Sequence, residues 1–146
     1  MYVKDNAKMK RICVIDGQGG GIGSAVIKIL KRSFEERIDI IALGTNAVAT
    51  ANMLKARANR GASGENAIVR SVKHADIIIG PISIIMAQAM LGELTPKMAE
   101  SIASCRAKKV LIPLSQEDVE VVGVSEMPLP RLIETMVKEN LSEMIP

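Results

Sequence analysis

The chain has 146 residues, 48% hydrophobic and 24% charged, enough for one domain with its own core, which excludes a disordered tail, a collagen-like repeat and a coiled-coil rod. Its 19 basic and 16 acidic residues leave a net charge of +3, and the basic ones (Lys8, Lys10, Arg11, Lys28, Lys31, Arg32, Lys108, Lys109) are scattered rather than massed against a polyanion. Tyr2 and Phe34 are the only aromatic residues, so a single-stranded nucleic acid finds nothing to stack on, and no nucleic-acid partner is expected.

In chain order, Arg11–Ile15 is a β-branched run closed by Asp16-Gly17, a strand ending in a turn. After the glycines, Ile22, Val26, Ile29 and Leu30 share one helical face, which predicts a helix over Ile22–Phe34. Asp39–Leu43 reads as the second strand, ended by Gly44. Asn46 to Arg60 reads as an Ala-rich helix, broken by Gly61-Ala62-Ser63-Gly64. Glu65–His74 reads as a short helix and Asp76–Ile79 as the third strand, stopped by Gly80-Pro81. Ser83–Leu91 reads as helical up to Gly92. Thr95-Pro96 is an N-cap followed by proline at the first helical position, opening a helix to Ala107. Lys109–Pro113 is the fourth strand and Glu120–Val124 a fifth, shorter one at an edge. Pro130–Met144 closes the chain as a helix with Leu132, Ile133, Met136, Val137 and Leu141 on its apolar side.

Strands thus alternate with helices, and the strands are continuous apolar runs. Such strands are buried on both faces, as in a parallel sheet covered by helices. The expected fold is a single α/β domain over residues 1–146. It is a doubly wound, mostly parallel, Rossmann-like sheet of about five strands, with residues 1–9 a flexible N-terminus.

Cys13 and Cys105 form no CxxC, and with the single His74 they make no zinc site. Cys13 lies in an apolar run and is expected to be a buried, reduced thiol. Met1–Asn6 does not have the pattern of a signal peptide, and no uncharged apolar stretch reaches the roughly 18 residues a membrane span needs. A cytoplasmic protein without a membrane partner is the expectation.

Asp16-Gly17-Gln18-Gly19-Gly20-Gly21-Ile22-Gly23 lies between a predicted strand and a predicted helix, the context in which a glycine loop carries meaning. Without a Cβ the backbone can take positive φ and lie against a ligand. The first amides of the helix lack internal partners, and the helix dipole favours an anion there. A phosphate or pyrophosphate is the natural occupant. The G-x-G-x-x-G spacing fails from Gly17, because Ile22 stands at the sixth place. G-x-x-x-G-x-G fits, through Gly17, Gly21 and Gly23.

That spacing resembles the cofactor loop of short-chain dehydrogenases, which bind NAD or NADP. The resemblance implies that Gly17 makes the turn, Gly21 admits the pyrophosphate and Gly23 permits close helix–strand packing. The chain departs from that family in three places, the third being Asp16 just before the glycines, where an isolated carboxylate repels a pyrophosphate. Its Tyr-x-x-x-Lys is absent, since Asn6 stands four residues after Tyr2, and the second strand ends in Leu43-Gly44-Thr45-Asn46 without a ribose-binding acid. Asp16, beside the expected anion, either bonds its own loop amides or holds a divalent metal that bridges to phosphate.

Four further strings, Ala42–Asn46, Gly64–Ile68, Ile79–Ile82 and Gly92–Glu100, together with the glycine loop, resemble a family of short uncharacterised bacterial proteins that share the Ile-Asp-Gly-Gln-Gly-Gly-Gly-Ile-Gly string. This similarity runs from Arg11 to Val124 and implies a Rossmann-like fold.

In open parallel sheets ligands sit outside the carboxyl ends of the strands. Besides Asp16, Gly17, Gln18, Gly19, Gly20, Gly21, Ile22 and Gly23, that edge is expected to hold Gly44, Thr45 and Asn46, and then Gly80, Pro81 and Ser83. Thr45 or Asn46 either caps the next helix or bonds a ribose, and Ser83 either caps its helix or faces the crevice. Pro113–Gln116 connects at the same edge. Gly61–Asn66 is a second small-residue loop, either a surface loop or a clasp over the site. His74 falls on the opposite edge.

The leading expectation is a nucleotide-binding protein with NAD or NADP at the glycine loop. A non-catalytic nucleotide sensor or subunit, and a phospho-metabolite enzyme using Asp16 with magnesium, are the alternatives. Asp16, Ser83, Glu65 and Glu93 are the candidate bases if there is a reaction. A homo-oligomer, with Met136, Met144 and Ile145 at the contact, is expected from the apolar last helix.

Overall fold

The computed structural model describes residues 9–114 and 117–146. Strands β1 (Lys10–Asp16), β2 (Ile38–Gly44), β3 (Arg60–Ser63), β4 (Ile77–Pro81) and β5 (Lys108–Ile112) form one all-parallel sheet in the order β3-β2-β1-β4-β5. Helices α1 (Gly21–Phe34), α2 (Ala47–Lys55), α3 (Glu65–Ser71), α4 (Pro96–Ser104) and α5 (Leu129–Met136) cover its two faces. The expected α/β class, parallel pairing and strand number are all present.

Pleating sorts β1 between two cores. Ile12 and Val14 meet Val26, Ile27 and Leu30 of α1, Met53 of α2 and Ile133 of α5. Cys13 and Ile15 meet Ile68 of α3 and Met98 and Ile102 of α4. Each such side chain contributes about 1.5–3 kcal/mol by leaving water, which is why a five-residue run without a polar face makes a central strand. Thr95 caps α4, its hydroxyl accepting from the Met98 amide at 3.2 Å with Pro96 at the first turn, as expected. Cys13 is fully buried, and burial pushes its thiol up to about 12, so it stays protonated.

Several elements differ from the sequence reading. The fifth strand is Arg60–Ser63, expected as the tail of a helix and a breaking loop, and it pairs with β2 from Ile41↔Arg60 to Gly44↔Ser63. Helix α2 stops at Lys55 because Arg57 takes a φ of 88° and the Asn59 amide donates to the Ile40 carbonyl at 2.9 Å, pulling the chain into the sheet. Glu120–Val124 is not a strand. It has no face to bury, with Val122 97% exposed, and Gly123 turns at a φ of 88°.

Ser83–Leu91 is not a helix either. One 3-10 turn over Ile82–Ile85 gives way to extended Met86. The chain then doubles back through left-handed Gln88, Met90, Leu91 and Gly92, pinned by the Gln88 amide on the Leu94 carbonyl at 2.8 Å. Helix α4 ends at Ser104 rather than Ala107, and the last helix passes at Val137–Leu141 into a π turn. The apolar side of that last segment is not a free contact face. Met136 and Ile145 are buried and Met144 packs against the same core, so the residues expected at a dimer contact serve the chain's own interior. No helix among the described residues is long and apolar enough to cross a membrane. The N-terminal run expected to be flexible lies outside the described residues but for Met9, as do Ser115 and Gln116 of the Pro113–Gln116 connector.

Candidate functional site

The strand order decides where a site can be. From β1 the chain winds outward through β2 and β3, then returns to lay β4 on the other side of β1. At such a switch the connections leave in opposite directions and open a crevice at the carboxyl ends of the two strands. A cavity of about 350 Å³ lies there. Asp16, Gly17, Gln18 and Ile22 of the glycine loop and Pro81 and Ser83 at the end of β4 line it. Met90 and Leu91 of the doubled-back turn, with Leu114 and Glu117 beyond β5, complete the wall.

The loop's shape follows from its residues. Gln18 and Gly20 are left-handed, at φ of 50° and 71°. A Cβ on Gly20 would also meet the Ala49 carbonyl oxygen at 2.8 Å, so only glycine suits that place. Gly20 offers no side chain to cap α1. Asp16 does so from the preceding strand, one carboxylate oxygen accepting the Gly17 amide at 2.8 Å and the other the Gly23 amide at 2.7 Å. Of the two roles weighed for Asp16, the bonding to its own loop is the one these distances display. Gly23 packs closely, since a Cβ there would reach the Met53 sulfur at 2.5 Å and the Asp16 Cβ at 3.1 Å. In contrast, Gly19 and Gly21 are exposed, and a Cβ on either would meet nothing within 4 Å. Their faces are open to a ligand.

Ser83 is only 5% exposed and lines the cavity, yet its hydroxyl makes no hydrogen bond among the described residues. It does not cap a helix, because the turn that holds it begins at Pro81 without a side-chain cap. The hydroxyl is open to the cavity, where water or a ligand can satisfy it.

On the β2 side, Gly44 packs under Thr50, whose hydroxyl accepts its amide at 3.1 Å. Asn46 caps α2, its side-chain oxygen accepting from the Ala49 amide at 2.8 Å. The same residue also donates to Glu93 at 2.9 Å, and the Thr45 hydroxyl donates to that carboxylate at 2.6 Å. The Gln18 amide completes the set at 2.9 Å. Glu93, weighed from sequence only as a candidate base, therefore ties the glycine loop to the end of β2. Gly80 sits inside β4 and reaches neither ligand space nor Glu93; its role is close packing against β1. Glu65 is held by the Thr95 hydroxyl at 2.6 Å, beside α4. The Gly61–Ser63 stretch is edge strand rather than clasp, and His74 is exposed just ahead of β4, at the opposite edge.

The sequence reading missed Met90, Leu91 and Glu117, and it placed Leu114 at this edge within the Pro113–Gln116 connector. The first two were hidden by reading a helix where the chain doubles back. Glu117 accepts the Met90 amide at 3.1 Å and so helps hold that turn over the cavity.

The two carboxylates of the loop titrate in opposite senses. Burial pushes the Asp16 carboxyl above the ordinary range, against the pull of the Gly23, Gly17 and Ile22 amides, and the nearby Glu93 charge adds to the rise. The Thr45 hydroxyl, then the Gln18 amide, hold Glu93 below its ordinary value against a smaller effect of burial, with Asn46 adding to the fall. Folded Asp16 thus holds its proton more tightly than unfolded Asp16. Its stabilising contribution is full below the ordinary carboxyl value and is lost as pH rises through the raised one. Asp16→Ala is expected to cost about 2 kcal/mol, as loss of a cap does, with the deficit largest at pH 3 and smaller at pH 7. Urea unfolding across that range checks it. A deficit that grows with pH would contradict the direction, and no deficit would contradict the capping role.

Residues 11–145 match the family model described as Domain of unknown function (DUF3842). A search of the curated proteins finds no match.

Proposed function

The chain belongs to the family described as Domain of unknown function (DUF3842), and we propose that this member is a nucleotide-binding protein that takes an NAD- or NADP-type dinucleotide along the glycine loop. The pyrophosphate lies against the amides of Gly19 and Gly21, at the positive end of α1. One nucleoside half fills the cavity on the β4 side, and the other runs toward Thr45 and Asn46 on the β2 side.

The observation that carries this reading is the cavity itself. It stands at the switch between β1 and β4, Asp16, Gly17, Gln18 and Ile22 of the glycine loop form part of its wall, and Gly19 and Gly21 of the same loop are exposed with open space before them. At about 350 Å³ it is near the small end of ligand sites, which run from about 300 to 1,000 Å³. That suits one half of a dinucleotide rather than the whole. Ile22, Pro81, Met90, Leu91 and Leu114 offer a base or nicotinamide ring an apolar wall, and the unpartnered Ser83 hydroxyl offers it one polar anchor.

The geometry favours this reading over the magnesium-assisted alternative. Both Asp16 oxygens already hold loop amides. Among the described residues no three His, Cys, Asp or Glu side chains gather as a metal site.

Thermal unfolding with NAD, NADP, ATP and sugar phosphates, each with and without magnesium, tests the proposal. A dinucleotide at a hundred times its Kd is expected to add about 2.7 kcal/mol and raise the midpoint accordingly. No shift with any nucleotide would overturn the reading. A shift confined to magnesium with a sugar phosphate would move it to the alternative.

A further inference from the structure

We infer that Glu93 reads the ribose of the bound nucleotide, and that it makes the site select a free 2′,3′-diol over a 2′-phosphate. This rests on the nucleotide reading above and adds to it which cofactor the site takes.

A nucleotide laid along a glycine loop at the head of the first helix carries its ribose past the end of the second strand. There a carboxylate accepts from the two hydroxyls. The end of β2, Gly44-Thr45-Asn46, has no acid of its own. The fold delivers one from another loop, 47 residues beyond Asn46. The donors that hold Glu93 come from both walls of that place, the Gln18 amide from the glycine loop and Thr45 and Asn46 from the end of β2. The carboxylate therefore lies between them, where a ribose between loop and strand would pass.

How it is held matters as much as where. All three donors converge on Oε1. Oε2 takes no hydrogen bond from the described residues, and the side chain is only partly buried. One oxygen fixes the group and the other keeps its lone pairs for a ligand. A carboxylate is acceptor-only, which matches a diol's two donors. The same donors keep Glu93 ionised at neutral pH.

A 2′-phosphate, doubly charged for much of the neutral range, would face that charge. The end of β2 and α2 up to Leu54 offer it no counter-ion, because residues 38–54 contain neither Lys nor Arg. Beyond β3 at the same edge, residues 64–69 are Gly-Glu-Asn-Ala-Ile-Val, again without a base.

The test is titration calorimetry on the full chain at neutral pH and physiological salt, with NAD and with NADP, for the wild type and for Glu93→Gln. The wild type is expected to bind NAD at least tenfold more tightly than NADP. Glu93→Gln keeps the shape and removes the charge, so the ratio is expected to fall toward one, chiefly through weaker NAD. The inference is overturned if the wild type binds both equally. It is also overturned if Glu93→Gln binds NAD more tightly, which would make the carboxylate a plug that the ligand must displace. Both of those outcomes leave the nucleotide reading standing. Absence of any nucleotide binding by the wild type would remove the reading and the inference together. The wild-type ratio needs no variant, so a misfolded Glu93→Gln protein does not shield the claim.

Discussion

Gly80→Val is expected to destabilise the protein by about 4 kcal/mol, and Gly80→Ala by about 2 kcal/mol. Gly80 lies in β4 opposite Leu111 of β5, one residue past the last β1–β4 pair at Val14↔Ile79. A Cβ there would fall on the carbonyl oxygen of Ile15, which belongs to the backbone of β1, and would stand 3.0 Å from Ile84 Cδ1. The Ile84 side chain can repack at modest cost, but the Ile15 backbone is the middle of the sheet and cannot swing away. The clash would therefore force β1 and β4 apart at the edge where the cavity begins. Gly21→Ala is the control. It sits at the start of α1 with nothing within 4 Å of an added Cβ, and alanine is a better helix former than glycine by roughly 0.5–1 kcal/mol. Urea unfolding of the three variants should order them Gly21→Ala, Gly80→Ala, Gly80→Val from most to least stable. A Gly80→Ala protein within 0.5 kcal/mol of the wild type would mean that the two strands are not locked there.

That contrast between glycines was only partly legible in the sequence. The loop could be placed because its neighbours carry strong local signals. β1, β2, β4 and β5 are apolar runs, and a strand buried on both faces needs nothing else to be recognised. β3 carries no such signal. Arg60-Gly61-Ala62-Ser63 is exposed throughout, and it is a strand only because the backbone of β2 has a free edge to pair with. Glu120–Val124 shows the converse. Its valines have the propensity of a strand, but no partner and no buried face, and propensity alone does not make one.

At the site the same division holds. Asp16 and the open glycines are read from a local string, and the sequence reading already held self-bonding of Asp16 as one of two roles. The grip of Thr45, Asn46 and Gln18 on Glu93 spans 48, 47 and 75 residues. Such a contact exists only after the sheet has closed and the turn over Met86–Gly92 has doubled back. The acid missing from the end of β2 was therefore correctly noted as missing from the local sequence. Glu93 reaches the end of β2 from a loop distant in the chain.

Gly21→Val is expected to weaken nucleotide binding at least a hundredfold, about 2.7 kcal/mol, while shifting unfolding by less than about 1 kcal/mol. The two numbers separate because of where the side chain would point. The protein itself leaves the space in front of Gly21 empty, so the valine strains no neighbour, and valine and glycine differ in helix propensity by less than about 1 kcal/mol. A phosphate bonded to the amides at the start of α1 must come to about 2.9 Å of their nitrogens, and a branched side chain on the central residue stands in its path. A change of side chain in the cavity wall does not separate the two in this way. Ser83 removes at most one anchor, and Asp16 alters the loop and the fold together. Calorimetry with the dinucleotide, beside unfolding of the ligand-free variant, measures both quantities on one sample. Unchanged affinity would take the glycine loop out of the site, because it would mean that the ligand's charge rests somewhere other than on those amides. Lost affinity with lost stability would mean that the open space in front of Gly21 is needed by the fold itself, and the argument from an unobstructed main-chain anion site would fail.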